Sequence, residues 1–256
     1  MRRSSFRLTG KTALITGAAA RIGKATALAL ASRGVHVVVH YNTSREEAED
    51  LAATLRSRNV NSLAIQADLS DPGQAEDLFA EAVRCAGPIG ILINNASVFE
   101  EDRLSDLTPH RLSASIRLHA VSPLLLSRRM AAQNIEGCII NILDTRIPGH
   151  DSTHASYQLG KQMLHSLTAS MAMEFAPGVR VNAVAPGLIL PPAGKEGDYL
   201  ETLSTTVPLL RHGGPEDITR AVLFLLESTF VTGQVIYVDG GRHLTGNTHG
   251  GIQDHD

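Results

Sequence analysis

The sequence predicts one α/β domain, a doubly wound parallel sheet with helices on both faces. Three observations carry that reading. Short apolar, β-branched runs alternate with alanine- and leucine-rich stretches along most of the chain, as they do where helices connect parallel strands. A glycine turn, Thr16-Gly17-Ala18-Ala19-Ala20-Arg21-Ile22-Gly23, joins the first apolar run to the first helical stretch. The length, 256 residues, suits one large domain that can bury a sizeable core.

Taken in order, Lys11 to Thr16 reads as a buried strand and Ile22 to Arg33 as a helix closed by Gly34. Val35 to Tyr41 is β-branched, a second strand. Arg45 to Arg58 carries acids early and arginines late, matching the helix dipole, with Ser44 in the N-cap place. Asn61 to Ala67 is a third strand, and Asp71-Pro72 opens a third helix. Ile89 to Asn94 is a strand, Thr108 to Gln133 one long helix carrying Pro123, and Gly137 to Leu143 a strand. Thr153 to Phe175 is a helix, Val179 to Ala185 a strand, Pro215 to Glu227 a helix and Gln234 to Val238 the last strand. Leu188 to Val207, rich in Pro and Gly, is irregular and suited to a lid. The domain is expected to span 8–244, and the tail 245–256, with its Gly, His, Asn and Asp, to be disordered.

The formal net charge of −3 gives no basic footprint for nucleic acid, and no apolar run reaches membrane-spanning length. Met1 to Arg7 is basic but lacks the apolar core of a secretory signal, so it reads as a frayed terminus. Cys85 and Cys138 are too few for a disulfide scaffold and suit a reducing compartment, the cytoplasm. His150 and His154 flank Asp151, but no further ligand stands at sensible spacing, so no metal is expected.

The chemistry centres on Tyr157 and Lys161, four apart on a helix and therefore on one face. A neighbouring ammonium favours the phenolate and is expected to lower the tyrosine pKa. The glycine turn aims backbone N–H groups and a helix N-terminus at a pyrophosphate, with Gly17 for the tight turn and Gly23 for close packing. The second strand ends in His40-Tyr41-Asn42-Thr43-Ser44-Arg45, without the acid that would hold a ribose 2′-hydroxyl. Neutral donors and an arginine suit a 2′-phosphate, so NADPH/NADP+ is favoured. Asp68 after the third strand reads as an acceptor for the adenine amine or as a cap for the next helix.

With these residues in place, the chain resembles the short-chain dehydrogenase/reductase family from about Leu8 to Leu244. The matching motifs are the Thr16–Gly23 turn, Asp68-Leu69, Asn94-Asn95-Ala96, Tyr157-x-x-x-Lys161, Asn182 with Pro186-Gly187, and Asp239-Gly240-Gly241. The resemblance implies a seven-stranded Rossmann sheet, commonly assembled as a homotetramer through the long helices. It implies a cofactor site at Gly17, Arg21, Ile22, Gly23, Tyr41, Asn42, Thr43, Ser44, Asp68, Leu69, Asn95, Ala96, Lys161, Pro186 and Gly187.

Three positions depart from the family pattern: Arg21 replaces its usual glycine, Asp144 its usual serine, and His119 its usual asparagine. Arg21 and Asp144, with Asn95-Ala96-Ser97-Val98-Phe99, look like the pteridine reductase branch. His119 and the ending Asp239 to Leu244 look like bacterial dihydromonapterin reductases. The implied substrate is a dihydropterin, with dihydrofolate also considered. Catalysis falls to Asp144, Tyr157 and Lys161, and substrate contact to Arg21, Ser97, Phe99, Asp144 and Tyr157. Lys161 would bind the nicotinamide ribose, Arg21 offer a donor fork to pterin or pyrophosphate, Phe99 stack on the pterin and Ser97 bond its edge. His119 reads either as holding a relay water or as a satisfied interior histidine. An ionised Asp144 would raise the Tyr157 pKa against Lys161, and the pair would titrate as a unit. A carbonyl or 3-oxoacyl reductase is the alternative, with Thr145 as its hydroxyl if the loop shifts by one residue. A cofactor-binding sensor without turnover is a further one, against which the intact Tyr157 and Lys161 argue.

Overall fold

The computed structural model describes residues 6–192, 195 and 198–245. Seven parallel strands make one sheet, β1 Thr12–Ile15, β2 His36–Tyr41, β3 Ser62–Gln66, β4 Ile89–Asn94, β5 Gly137–Ile142, β6 Val179–Pro186 and β7 Val235–Val238. Their order is β3-β2-β1-β4-β5-β6-β7, so the connections reverse direction between β1 and β4. A crevice opens at such a switch point, beyond the carboxyl ends of the strands.

The helices are α1 Arg21–Ala31, α2 Arg45–Arg56, α3 Pro72–Ala86, α4 Pro109–Ile116, α5 Ser122–Ala131, α6 Ala155–Glu174, α7 Tyr199–Ser204 and α8 Pro215–Glu227. Successive strand residues point to opposite faces, which splits the core in two. Ala13 and Ile15 of β1 pack with Leu30, Leu51 and Val222 of α1, α2 and α8, whereas Leu14 between them packs with Leu78, Leu126 and Met171 of α3, α5 and α6. Both faces of the sheet are therefore covered, which is why its strands read as continuous apolar runs. Among the described residues no helix is long and apolar enough to cross a membrane.

Four local expectations are corrected. The stretch Thr108 to Gln133 is not one regular helix: Arg117–Val121 forms a π-turn in which Ser122 N–H bonds the Arg117 carbonyl. Pro123 has no N–H for the His119 carbonyl, so the regular ladder fails there and the chain widens by one residue. Leu188 to Val207 is not wholly irregular, since it contains α7. Ser44 heads α2 but its side chain makes no capping bond, and α3 is capped by Asp71, which accepts from Gly73 N–H, rather than by Asp68. The expected disorder of the tail falls, from residue 246 on, outside the described residues, as do residues 1–5 of the basic start.

Candidate active site

The carboxyl ends of β1, β4, β5 and β6 open on a cleft of about 600 Å³. It is bordered by Gly17, Arg21, Ile22 and Gly23, by Asn95 to Phe99, by Asp144, Tyr157 and Lys161, and by Pro186 and Gly187. Six expected cofactor residues, Tyr41, Asn42, Thr43, Ser44, Asp68 and Leu69, lie away from it. Tyr41, the last residue of β2, is buried in the core. Asn42 and Thr43 are exposed at the end of β2. The Asp68 carboxylate accepts from Ser70 N–H at 2.9 Å.

The glycine turn is built by side chains from three strands. Thr16 Oγ1 accepts the N–H groups of Asn95 and Ala96 at 2.8 and 2.9 Å. Asn95 Nδ2 donates to the carbonyls of Thr16 and Gly17 at 2.9 and 3.0 Å. Asn95 thus holds the turn. His40 Nδ1 accepts Gly17 N–H at 3.0 Å, which leaves Nε2 to donate to the Ala67 carbonyl at 3.0 Å. Burial lowers the His40 pKa to about 4, so the ring is neutral and works as a brace. Gly17 has φ +61° and a Cβ there would meet Ala96 Cα at 2.9 Å. At Gly23 a Cβ would meet the Gly17 carbonyl oxygen at 2.3 Å. Beyond the turn, α1 begins with no side-chain cap and no acid in its first turn, so its positive end is open to an anion, as a pyrophosphate requires.

Arg21 also has positive φ, 54°, a conformation costing a non-glycine residue roughly 1–2 kcal/mol. This accounts for the family's usual glycine. Its Nη2 donates to the Pro191 carbonyl at 2.7 Å, linking the cofactor turn to the loop before α7.

On the opposite wall, Tyr157 Oη donates to Asp144 Oδ2 at 2.8 Å, and Asp144 Oδ1 accepts Arg146 N–H at 2.7 Å. Burial first, then the Asp144 charge and hydrogen bond, raise the Tyr157 pKa well above its ordinary value. The expected lowering by Lys161 is overturned. Lys161 Nζ lies 5.7 Å from the ring centroid and donates to the Ile142 carbonyl at 2.7 Å. Burial lowers its own pKa to about 8. Thr145 does not stand in for a missing serine, because its hydroxyl donates to Asp239 Oδ2.

Phe99 is committed within the protein. Its ring stacks on His154 at 3.9 Å, meets Tyr157 edge-on at 4.8 Å and carries the Arg146 guanidinium at 4.7 Å. His119 is the satisfied interior histidine. Its Nε2 accepts from Val98 N–H at 3.3 Å and meets Ser97 Oγ at 3.1 Å, while Nδ1 bonds the Ser115 carbonyl at 2.9 Å. Burial brings its pKa down to about 3. His119 therefore fixes the Ser97–Phe99 segment beside Tyr157. Among the described residues no group of three or more His, Cys, Asp and Glu side chains could hold a metal; His154 Nδ1 bonds Asp151 Oδ2 at 3.0 Å. Sequence reasoning missed Arg146, Arg242 and Tyr199, which also border the cleft. Arg146 lies two residues beyond Asp144, close enough to have been a signal; Arg242 and Tyr199 reach the site only through the fold.

A family model described as enoyl-(acyl carrier protein) reductase matches residues 17–243. The chain belongs to the short-chain dehydrogenase/reductase family. It is similar to the 3-oxoacyl-[acyl-carrier-protein] reductase FabG of Staphylococcus aureus strain Mu50, at 32% identity over 91% of this chain and 98% of that one. It is similar to versicolorin reductase 1 of Aspergillus parasiticus, at 34% identity over 93% and 98%. Among solved structures it is similar to FolM alternative dihydrofolate reductase 1 of Brucella canis, complexed with NADP, at TM-score 0.87 and 34% identity over 93% of this chain and 96% of that one. As a short-chain dehydrogenase/reductase, the chain is an oxidoreductase with a nicotinamide cofactor.

Proposed function

We propose that this short-chain dehydrogenase/reductase is an NADPH-dependent pteridine reductase that converts dihydropterins to tetrahydropterins. The observation that carries the reading is the Tyr157 Oη–Asp144 Oδ2 hydrogen bond, a phenol and a carboxylate where the superfamily usually pairs the phenol with a hydroxyl. The likeness to the Brucella canis alternative dihydrofolate reductase, complexed with NADP, supports it.

The bound nicotinamide supplies a hydride. The chain supplies the rest. Tyr157 stays protonated, since burial and Asp144 both hold its pKa up. A proton for the substrate nitrogen is thus kept at Tyr157 Oη and shared with Asp144 Oδ2. Lys161, buried and fixed to the Ile142 carbonyl, would bind the nicotinamide ribose. Gly17, Ile22, Gly23, Asn95, Ala96, Pro186 and Gly187 would border the nucleotide, and the acid-free segment Asn42 to Ser44 would meet its 2′-phosphate. Ser97, positioned by His119, and Phe99, held against His154 and Arg146, would form the wall against the pterin. A cytoplasmic homotetramer completes the reading; Leu159 and Met163, exposed and four apart on α6, offer an apolar face for assembly.

A second reading, a 3-oxoacyl reductase, is favoured by the Staphylococcus relative. Against it stands Thr145, whose hydroxyl is turned to Asp239. NADPH oxidation measured side by side with a 7,8-dihydropterin, dihydrofolate and an acetoacetyl thioester separates them. We expect turnover of the dihydropterin; turnover of the thioester alone overturns the proposal.

A further inference from the structure

Arg242 follows the glycine pair Gly240-Gly241 after β7 and is only 3% exposed. Among the described residues, its Nε and Nη2 have no hydrogen-bond partner. Leaving two buried guanidinium nitrogens without an acceptor is unfavourable, so the side chain has donors to spare for one. The adjacent acid favours the Arg242 charge through space but gives it no hydrogen bond, since Asp239 accepts from Thr145, Gly241 and His243. Its other neighbours in charge are Arg146, which opposes it, and Asp144 and Tyr199, which favour it. Arg242, Arg146, Asp144 and Tyr199 all border the one cleft that holds Tyr157.

We propose that Arg242 binds an acceptor oxygen of the substrate, one that lies beside the atom protonated by the Tyr157–Asp144 pair. Resting on the pteridine reading, that oxygen is the lactam carbonyl, which sits peri to the ring nitrogen that receives the proton. A donor next to the proton source is where this oxygen falls when the nitrogen faces Tyr157. A 3-oxoacyl thioester also carries a second carbonyl oxygen near the atom that is protonated, one bond further away than in the pterin. Arg242 borders the same cleft as Tyr157 and Asp144, which puts its guanidinium beside the place where that oxygen falls. The planar fork then binds it and draws electron density from the bond being reduced.

The test compares the unmodified protein with Arg242→Met and Arg242→Lys. The readouts are kcat/KM on a 7,8-dihydropterin and on an acetoacetyl thioester, NADPH affinity by fluorescence titration, and the melting temperature without ligands. For Arg242→Met we expect kcat/KM to fall about 10²-fold, NADPH affinity to stay within about twofold and the melting temperature to hold or rise, because a buried unpaired charge has gone. Arg242→Lys should recover part of the rate. Unchanged kcat/KM overturns the inference. So does a joint fall of melting temperature and NADPH affinity, the mark of a purely structural residue. Turnover of the thioester alone removes the pteridine reading, and the effect of Arg242→Met on that substrate then decides the inference by itself. Turnover of neither substrate overturns both.

Discussion

A phenol and a carboxylate 2.8 Å apart cannot be assigned separate roles without separating them experimentally. On the proposed mechanism Tyr157→Phe removes the proton carrier and little else, so turnover should fall by about 10²–10⁴-fold while NADPH affinity is kept. Asp144→Asn removes the negative charge that helps hold the Tyr157 pKa up, so the phenol should ionise at lower pH. The alkaline limb of the pH–rate profile should then move to lower pH; superimposable profiles would take Asp144 out of the mechanism. Asp144 was legible in the sequence because its spacing from Tyr157 marks it. The Tyr157 pKa was not, because burial dominates it and burial is a property of the fold. The same holds for His40 and His119, one braced against the glycine turn and one beneath Ser97–Phe99. Folded, they take up protons only at about 4 and about 3, against about 6.5 when unfolded. In that window the unfolded chain holds more protons, so their contribution is complete above about pH 6.5 and is lost as pH falls toward 4 and below. Each full shift corresponds to on the order of 4 kcal/mol. Urea midpoints should therefore drop steeply from pH 6.5 to pH 4.5 at fixed ionic strength, and an unchanged midpoint would contradict neutral buried rings.

The π-turn between α4 and α5 shows how an element can be read correctly as helical and still be misread in its register. Pro123 was visible in the sequence, but a proline inside a helix can kink it, end it or widen it, and only the packing chooses. Here α6 presses on the turn through Gly160, where a Cβ would meet His119 Cβ at 2.9 Å and Nδ1 at 3.3 Å. Gly160→Ala should destabilise the protein by about 1–3 kcal/mol. It should also lower turnover, because the displaced imidazole carries Ser97 and Val98 with it. Thermal denaturation together with steady-state rates would measure both, and a stable, fully active variant would show that the close approach is dispensable. The segment at Leu188 to Val207 was legible as a lid candidate from its Pro and Gly, whereas α7 within it was too short to announce itself by periodicity.

For the molecule as a whole, the order of seven strands and the position of the cleft follow from features spread over the chain: apolar runs, helix starts and the glycine turn. Such features are redundant, and boundary errors of one or two residues do not disturb them. Tyr41, Asn95 and Arg242 show the opposite case. Each depends on where one side chain points after the chain has closed, and no local pattern records that direction. Arg21 belongs to both groups, predicted for the site by its identity yet bonded to an unforeseen carbonyl. Its 2.7 Å bond to Pro191 fastens the turn that receives the nucleotide to the segment leading into α7. The strap has a kinetic meaning: it ties the nucleotide turn to the segment across the cleft, so substrates should enter in compulsory sequence, nucleotide first, and depart in reverse. Product-inhibition patterns would register this as NADP+ competing with NADPH and the other product not doing so, and Arg21→Gly, by cutting the strap, should turn the compulsory sequence into a random one.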